Sequence, residues 1–193
     1  MLAVLTALGL SAAAGLNAYI PILVIGLLDR YSDVVHLPAE FGWLTNGWVL
    51  SLLGILLAAE VILDKVAIVD SLNDAVQTFV RPAAGGAVFA ATDAANQLDA
   101  SFMADHPWIG WILGILVAFL VHLTKSSIRP VVNAGTLGTG APVVSTVEDT
   151  VSLGMSVLAV LAPIVALISV VLLAFVAFRL LKRVRRRTQP KVT

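Results

Sequence analysis

Four long apolar runs divide this chain, at residues 2–28, 48–63, 108–123 and 151–178. At about 1.5 Å of rise per residue, the first and last are long enough to cross roughly 30 Å of hydrocarbon as single helices. The middle two reach only about 24 Å, a shortfall that snorkelling ends or local bilayer thinning can meet. Trp43, Trp48, Trp108 and Trp111 stand at the run edges, where interfacial aromatics belong. Pro163 lies inside the last run and predicts a kink there. The pattern therefore predicts an all-α, polytopic integral membrane protein with four main transmembrane helices.

Two less apolar segments, 66–96 and 126–150, separate the runs. Each contains an Arg-Pro step, Arg81-Pro82 and Arg129-Pro130, followed by glycines. Pro pre-sets the first turn of a helix, so each step reads as a helix start, and clustered glycines break regular structure. Irregular backbone at membrane depth is tolerated only where protein shields it or where it lines a wet cavity. The segments are expected to be either re-entrant elements or broken spans.

The segments 53–65 and 113–125 align without gaps, with identities that include Gly54/Gly114, Leu56/Leu116, Val61/Val121 and Lys65/Lys125; Trp48 and Trp108 extend the match. Each copy runs Trp, apolar helix, Lys, then Arg-Pro, which points to an internal repeat over 48–95 and 108–150. Short Gly/Pro-interrupted segments at corresponding positions are a pointer to a transporter binding site.

Composition agrees with lipid as the solvent. The chain has 193 residues, 59% hydrophobic and 12% charged, with mean hydropathy +0.98, against about 25% charged in soluble domains. It divides into one membrane domain over 1–180 and a basic tail over 181–193. There is no cysteine, so disulfides and thiolate chemistry are excluded. The net charge of zero conceals a split. Seven of 12 Lys and Arg lie between Arg179 and Lys191 with no acid among them, leaving the rest of the chain at −7. The positive-inside rule then predicts a cytoplasmic C-terminus. Counting back puts the N-terminus in the cytoplasm too, at the plasma membrane of a cell. The loop 29–47, with three acids and one Arg, is expected outside. The N-terminal run has no basic residue before it and reads as a retained span, not a cleaved signal.

Ionisable side chains inside or beside spans are costly and need a reason. A helix starting at Arg-Pro would offer free N–H groups beside a guanidinium, an arrangement that suits anions. Arg81 and Arg129, with Lys65 and Lys125, are therefore candidates for a small anionic substrate such as a phosphate or carboxylate. The alternative is that these cations snorkel, or pair with Asp64, Asp70, Asp74, Glu148 and Asp149. Asp70 and Asp74 share a helix face and could relay protons or, with His122, hold a metal, although the expectation is that no metal or cofactor is bound. His122 lies three residues from Lys125 and reads as interfacial. Asn17, within the first run, and Asn133, in the Gly/Thr-rich stretch, complete the candidate substrate-binding set. A buried amide needs a partner, and the neighbouring Ala12, Ala13, Ala14 and Gly15 favour close helix packing.

No nucleophile elbow, zinc-protease helix or phosphate-binding loop occurs, so no enzyme is expected. The residues Ala14-Gly15-Leu16-Asn17-Ala18-Tyr19-Ile20-Pro21, then Asp64-Lys65, Val69-Asp70-Ser71, Asp74, Thr78, Arg81-Pro82 and Gly85, followed by His122, Lys125, Arg129, Asn133, Ser145 and Glu148-Asp149, resemble a bacterial integral membrane family catalogued as domain of unknown function 4126. The likeness covers nearly the whole chain. This sequence departs from the family's pattern at Asn73, where an aromatic is frequent, and in a second polar segment rich in Gly and Thr where Pro is typical. The resemblance implies a membrane architecture and no activity.

The functional expectation is a small transporter, or a protein that handles lipids or anions, with a polar site formed by the two Arg-Pro segments. The alternative is a membrane scaffold or regulatory partner. The implied partners are the bilayer, anionic headgroups at the basic tail and a second copy of the chain, with no nucleic acid.

Overall fold

The computed structural model describes residues 2–65, 67–95, 106–172, 175 and 179. Most of those residues are helical, with no strand among them. In chain order they form α1 (Leu2–Leu16), α2 (Tyr19–Tyr31), a 3-10 helix (Ala39–Thr45), α3 (Gly47–Leu63), α4 (Ala67–Ala95), α5 (Pro107–Thr136) and α6 (Ala141–Leu161). A last short helix, α7, spans Pro163–Leu172.

The first apolar run is not the single span that its length suggested. It breaks at Asn17-Ala18 and folds back as a hairpin, so that Ile25 of α2 and Leu10 of α1 line one small cavity. The Asn17 Oδ1 accepts from the Tyr19 and Ile20 amides at 3.0 and 3.2 Å, satisfying donors that a helix start leaves free. Pro21, in the first turn of α2, has no N–H to leave unpaired. At about 1.5 Å per residue the two arms reach only about 22 and 20 Å.

The last run also reverses. Ala159 and Ala166, which a straight helix would hold about 10 Å apart, would both lie within 3.3 Å of a Cβ placed on Gly9. The chain thus turns sharply at Ala162-Pro163 where a mild kink was expected, with Ala162 at φ −147° and ψ 69°.

The Arg-Pro steps do not start helices. Pro82 lies inside α4, a helix of 29 residues, and Pro130 inside α5, of 30 residues. Residues 67–95 of the first segment are therefore one continuous helix, not broken at the Arg-Pro step and not re-entrant. Segment 126–150 is the end of α5, a turn at 137–140, and the start of α6. In that turn Leu137 (φ 52°) and Gly138 (φ 84°) are left-handed, and the Gly138 amide caps α5 on the Asn133 carbonyl at 2.8 Å.

The two repeat copies are both helix–turn–helix, but they are not copies in detail. Lys65 lies in its turn and Arg81-Pro82 follows it, whereas Lys125 and Arg129-Pro130 both lie before the turn that ends α5.

Among the described residues two helices, α5 and α6, are long and apolar enough to cross a membrane. The 3-10 helix and α3, bent by 53°, make a third if taken as one span. Only 22% of the apolar stretch of α5 and 28% of that of α6 is buried in protein. Most of this apolar surface points outward, as it does in lipid.

Small residues set the packing at the centre. Gly110, Gly114 and Ala118 form the buried face of α5. A Cβ on Gly114 would collide with the Gly85 carbonyl of α4, and one on Gly15 would meet the Ala118 carbonyl of α5 at 2.5 Å. Ser11 of α1 donates to the Gly85 carbonyl at 2.9 Å. Three backbones thus approach closely, as small residues permit between membrane helices. Ala12–Gly15 pack closely, as their sizes suggested.

Candidate functional site

The small-residue face of α5 continues as His122, Lys125 and Arg129, all buried. On α4, Gly85 stands one turn beyond Arg81 on the same face. The Gly85–Gly114 contact therefore fixes a register in which Arg81 meets His122. The Arg81 Nη1 donates to His122 Nδ1 at 3.0 Å. Because a guanidinium only donates, the ring proton sits on Nε2, which donates to the Thr78 hydroxyl at 3.0 Å. That hydroxyl donates in turn to the Asp74 carbonyl at 2.8 Å. His122, read from the sequence as interfacial, is instead interior and bonded to a cation.

Carboxylates from three further places close on these cations. Glu60, in the last turn of α3, accepts from Arg81 Nη2 at 2.8 Å. Asp64, the residue that caps α3, turns inward. Its Oδ2 lies 3.1 Å from Arg129, 3.7 Å from Lys125 and 3.9 Å from Arg81, and its Oδ1 accepts from Asn73 at 2.7 Å. Asp74, two turns before Arg81 on α4, lies 3.5 Å from Arg81 and 3.9 Å from Arg129. Glu148 of α6 pairs with Arg129 and lies 3.1 Å from Lys125. Arg81, Glu60 and Asp64 expose 2% or less of their side chains.

The tip of the α1–α2 hairpin reaches this cluster. The Leu16 carbonyl, which the helix break leaves without an intrahelical partner, accepts from Lys125 Nζ at 3.0 Å. Asn17 Nδ2 donates to Asp149 Oδ1 at 2.9 Å. Three cations therefore face four carboxylates, with Asp149 alongside, and acid is in excess.

The cluster's depth follows from the helices. Trp108 opens α5 and Trp48 opens α3, both exposed. The axial distance from Trp108 to His122 is about 21 Å and from Trp48 to Glu60 about 18 Å. Tryptophans at one edge of a hydrocarbon layer of about 30 Å would put the charges inside that layer and nearer its far edge.

Of the sequence candidates, Arg81, Lys125, Arg129, Asp74 and Glu148 converge here, with Asn17 and Asp149 at the margin. Lys65 does not join them. It is exposed at the α3–α4 turn, with its Nζ 3.2 Å from the Thr146 hydroxyl. Asn133 is half-buried on the last turn of α5 and outside the cluster. The side chain of Asp70 and the basic tail lie outside the described residues. Glu60 was missed, although a single acid in an apolar run is a signal in its own right. No group of three metal-ligating side chains is present among the described residues. A cavity of about 230 Å³, lined by Thr6, Leu10, Ile25, His36, Thr92 and Val160 among others, lies at the opposite end of α1.

The fold and site define an all-α protein with apolar helices long enough to cross a membrane and an ionic cluster among them. The chain belongs to the family described as Domain of unknown function (DUF4126), whose model matches residues 4–183. No curated protein and no solved structure matches this chain.

Proposed function

We propose that this protein is a small transporter, and that its charged solute docks at the ionic cluster. One observation carries the reading: charges from α3, α4, α5 and α6 meet beside the tip of a broken helix, among helices apolar and long enough to cross a membrane. Burying ion pairs is rarely the cheapest way to stabilise a core, because well-packed apolar residues of similar volume often do as well or better. Ionisable groups at such depth mark solute and proton pathways, and helix breaks there supply free main-chain ligands. An anionic solute would take the place of Glu148 on Arg129 and Lys125, with the displaced carboxylate protonated or moved aside. In this reading the protein is not an enzyme, the tail at 182–187 meets anionic headgroups on the cytoplasmic face, and both termini lie on that side.

A scaffold role without transport is the second reading. It is favoured by the same ion pairs, since each of the three cations already has carboxylate partners. Currents across proteoliposomes on a solid-supported membrane separate the two. A saturable current on steps of inorganic phosphate, acetate or pH is expected from the wild type. It should be lost in Arg129→Lys, which keeps the charge but not the planar fork. Folded protein that gives no current under any of these steps would decide for the scaffold.

A further inference from the structure

The Lys125 ammonium occupies a socket of three oxygens drawn from three elements. These are the free Leu16 carbonyl at the end of α1 at 3.0 Å, Glu148 Oε2 at 3.1 Å and Asp64 Oδ2 at 3.7 Å. Main-chain carbonyls at the ends of broken helices, together with carboxylates, are the ligands that membrane proteins offer to sodium and protons. An ammonium on a four-carbon stem is a compact point charge, so it can stand in such a socket as a tethered stand-in for a free ion.

Two further observations point the same way. The cluster's hydrogen bonding is incomplete: Glu60 Oε2, on a side chain 2% exposed, is buried with no hydrogen-bond partner, as is Arg81 Nε, so the groups around the socket are not locked in one arrangement. The socket also lies near an edge, because Glu148 and Asp74 keep 12% and 13% of their side chains exposed, which gives a free ion a way in.

We infer that the Lys125 socket is a monovalent-cation site, where sodium or potassium binds in exchange with the ammonium. When the ion enters, Lys125 withdraws from Leu16 and the hairpin tip loses one of its polar ties to the bundle, while Asn17–Asp149 and the bond from the Ser152 hydroxyl to the Ala13 carbonyl remain. Ion occupancy is thereby linked to the position of the α1–α2 hairpin. The inference rests on the cluster being a solute site, but its test reads binding and not flux, so a protein that binds ions without transporting them is recognised as such.

The test uses the full-length protein in detergent, with choline chloride at matched ionic strength as the blank. In Lys125→Ala, sodium, potassium or methylammonium should raise the melting temperature saturably. The half-maximal concentration should be about tenfold or more below that of the wild type, since the competitor has been removed. Adding Glu148→Gln should abolish the response. In the wild type, acylation of Lys125 by an amine-reactive label should rise with sodium or potassium, while labelling of Lys65 stays constant. If Lys125→Ala responds no better than to choline, the inference fails. It also fails if that variant responds while wild-type labelling of Lys125 is unchanged, because the ion would then only fill a hole made by the substitution. Should Lys125→Ala not fold in any salt, the wild-type labelling decides alone.

Discussion

Lys65 and Lys125 occupy matching positions in two stretches of similar sequence, yet one lies on the surface and the other in the interior. The helix of the first copy stops at Leu63, so Asp64 swings inward and Lys65 is left outside. The helix of the second copy runs on to Thr136, so Lys125 and Arg129 stay on the inward face. At the positions matching Glu60 and Asp64 the second copy has Leu120 and Thr124. Within the aligned stretches the first thus supplies Glu60 and Asp64 and the second Lys125, which meets Asp64 at 3.7 Å; beyond them the roles invert, with Arg81 from the first copy and Glu148 from the second. For the Lys65/Lys125 pair, where the helix ends decided which member became buried.

The largest break in this contrast should come from Arg129→Ala. It removes the nearest cation from Asp64 and Glu148, leaving both with Lys125, and removing one partner of a buried pair costs about 3–5 kcal/mol. Equilibrium unfolding in detergent should show that loss. The matched glycines come next. Gly114→Val forces a side chain into the Gly85 carbonyl and should cost about 1–3 kcal/mol or more. Gly54, with nothing within 4 Å of a built Cβ, should accept Ala with a gain of up to about 1 kcal/mol. Equal effects at the two glycines would mean that α4 and α5 do not pack as described. Asn17→Ala removes the cap of α2 and the partner of Asp149, for about 1 kcal/mol, and should also raise proteolysis near residue 17. Lys65→Ala should shift stability by less than about 0.5 kcal/mol, and a larger loss would place Lys65 inside the cluster.

Much of this was legible in the sequence, for stated reasons. Charged residues in so apolar a chain must find each other, so Arg81, Lys125, Arg129, Asp74 and Glu148 could be picked out by hydropathy alone. The hairpins could not, because a hydropathy run does not record direction. The local signal was Asn17 followed by Pro21, a cap and a first-turn proline in an otherwise unbroken run. The Arg-Pro steps misled in the opposite sense. Proline costs one main-chain hydrogen bond within a helix, but among packed helices neighbouring groups make good the loss. Glu60 was hidden by its apolar neighbours, and the depth of His122 depended on the Gly85–Gly114 contact, which spacing along one chain does not reveal.

The Asn17–Asp149 bond joins residues 132 positions apart, and this constrains how the protein is made. The α1–α2 hairpin is synthesised before the helices it packs against, with arms too short to span. Its Leu16 carbonyl waits for Lys125 of α5, and its Asn17 waits for Asp149 of α6. At synthesis rates of about 5–20 residues per second, the hairpin waits on the order of ten seconds before its last contact can form. Throughout that interval an insertase or the membrane surface must shelter its unpartnered tip.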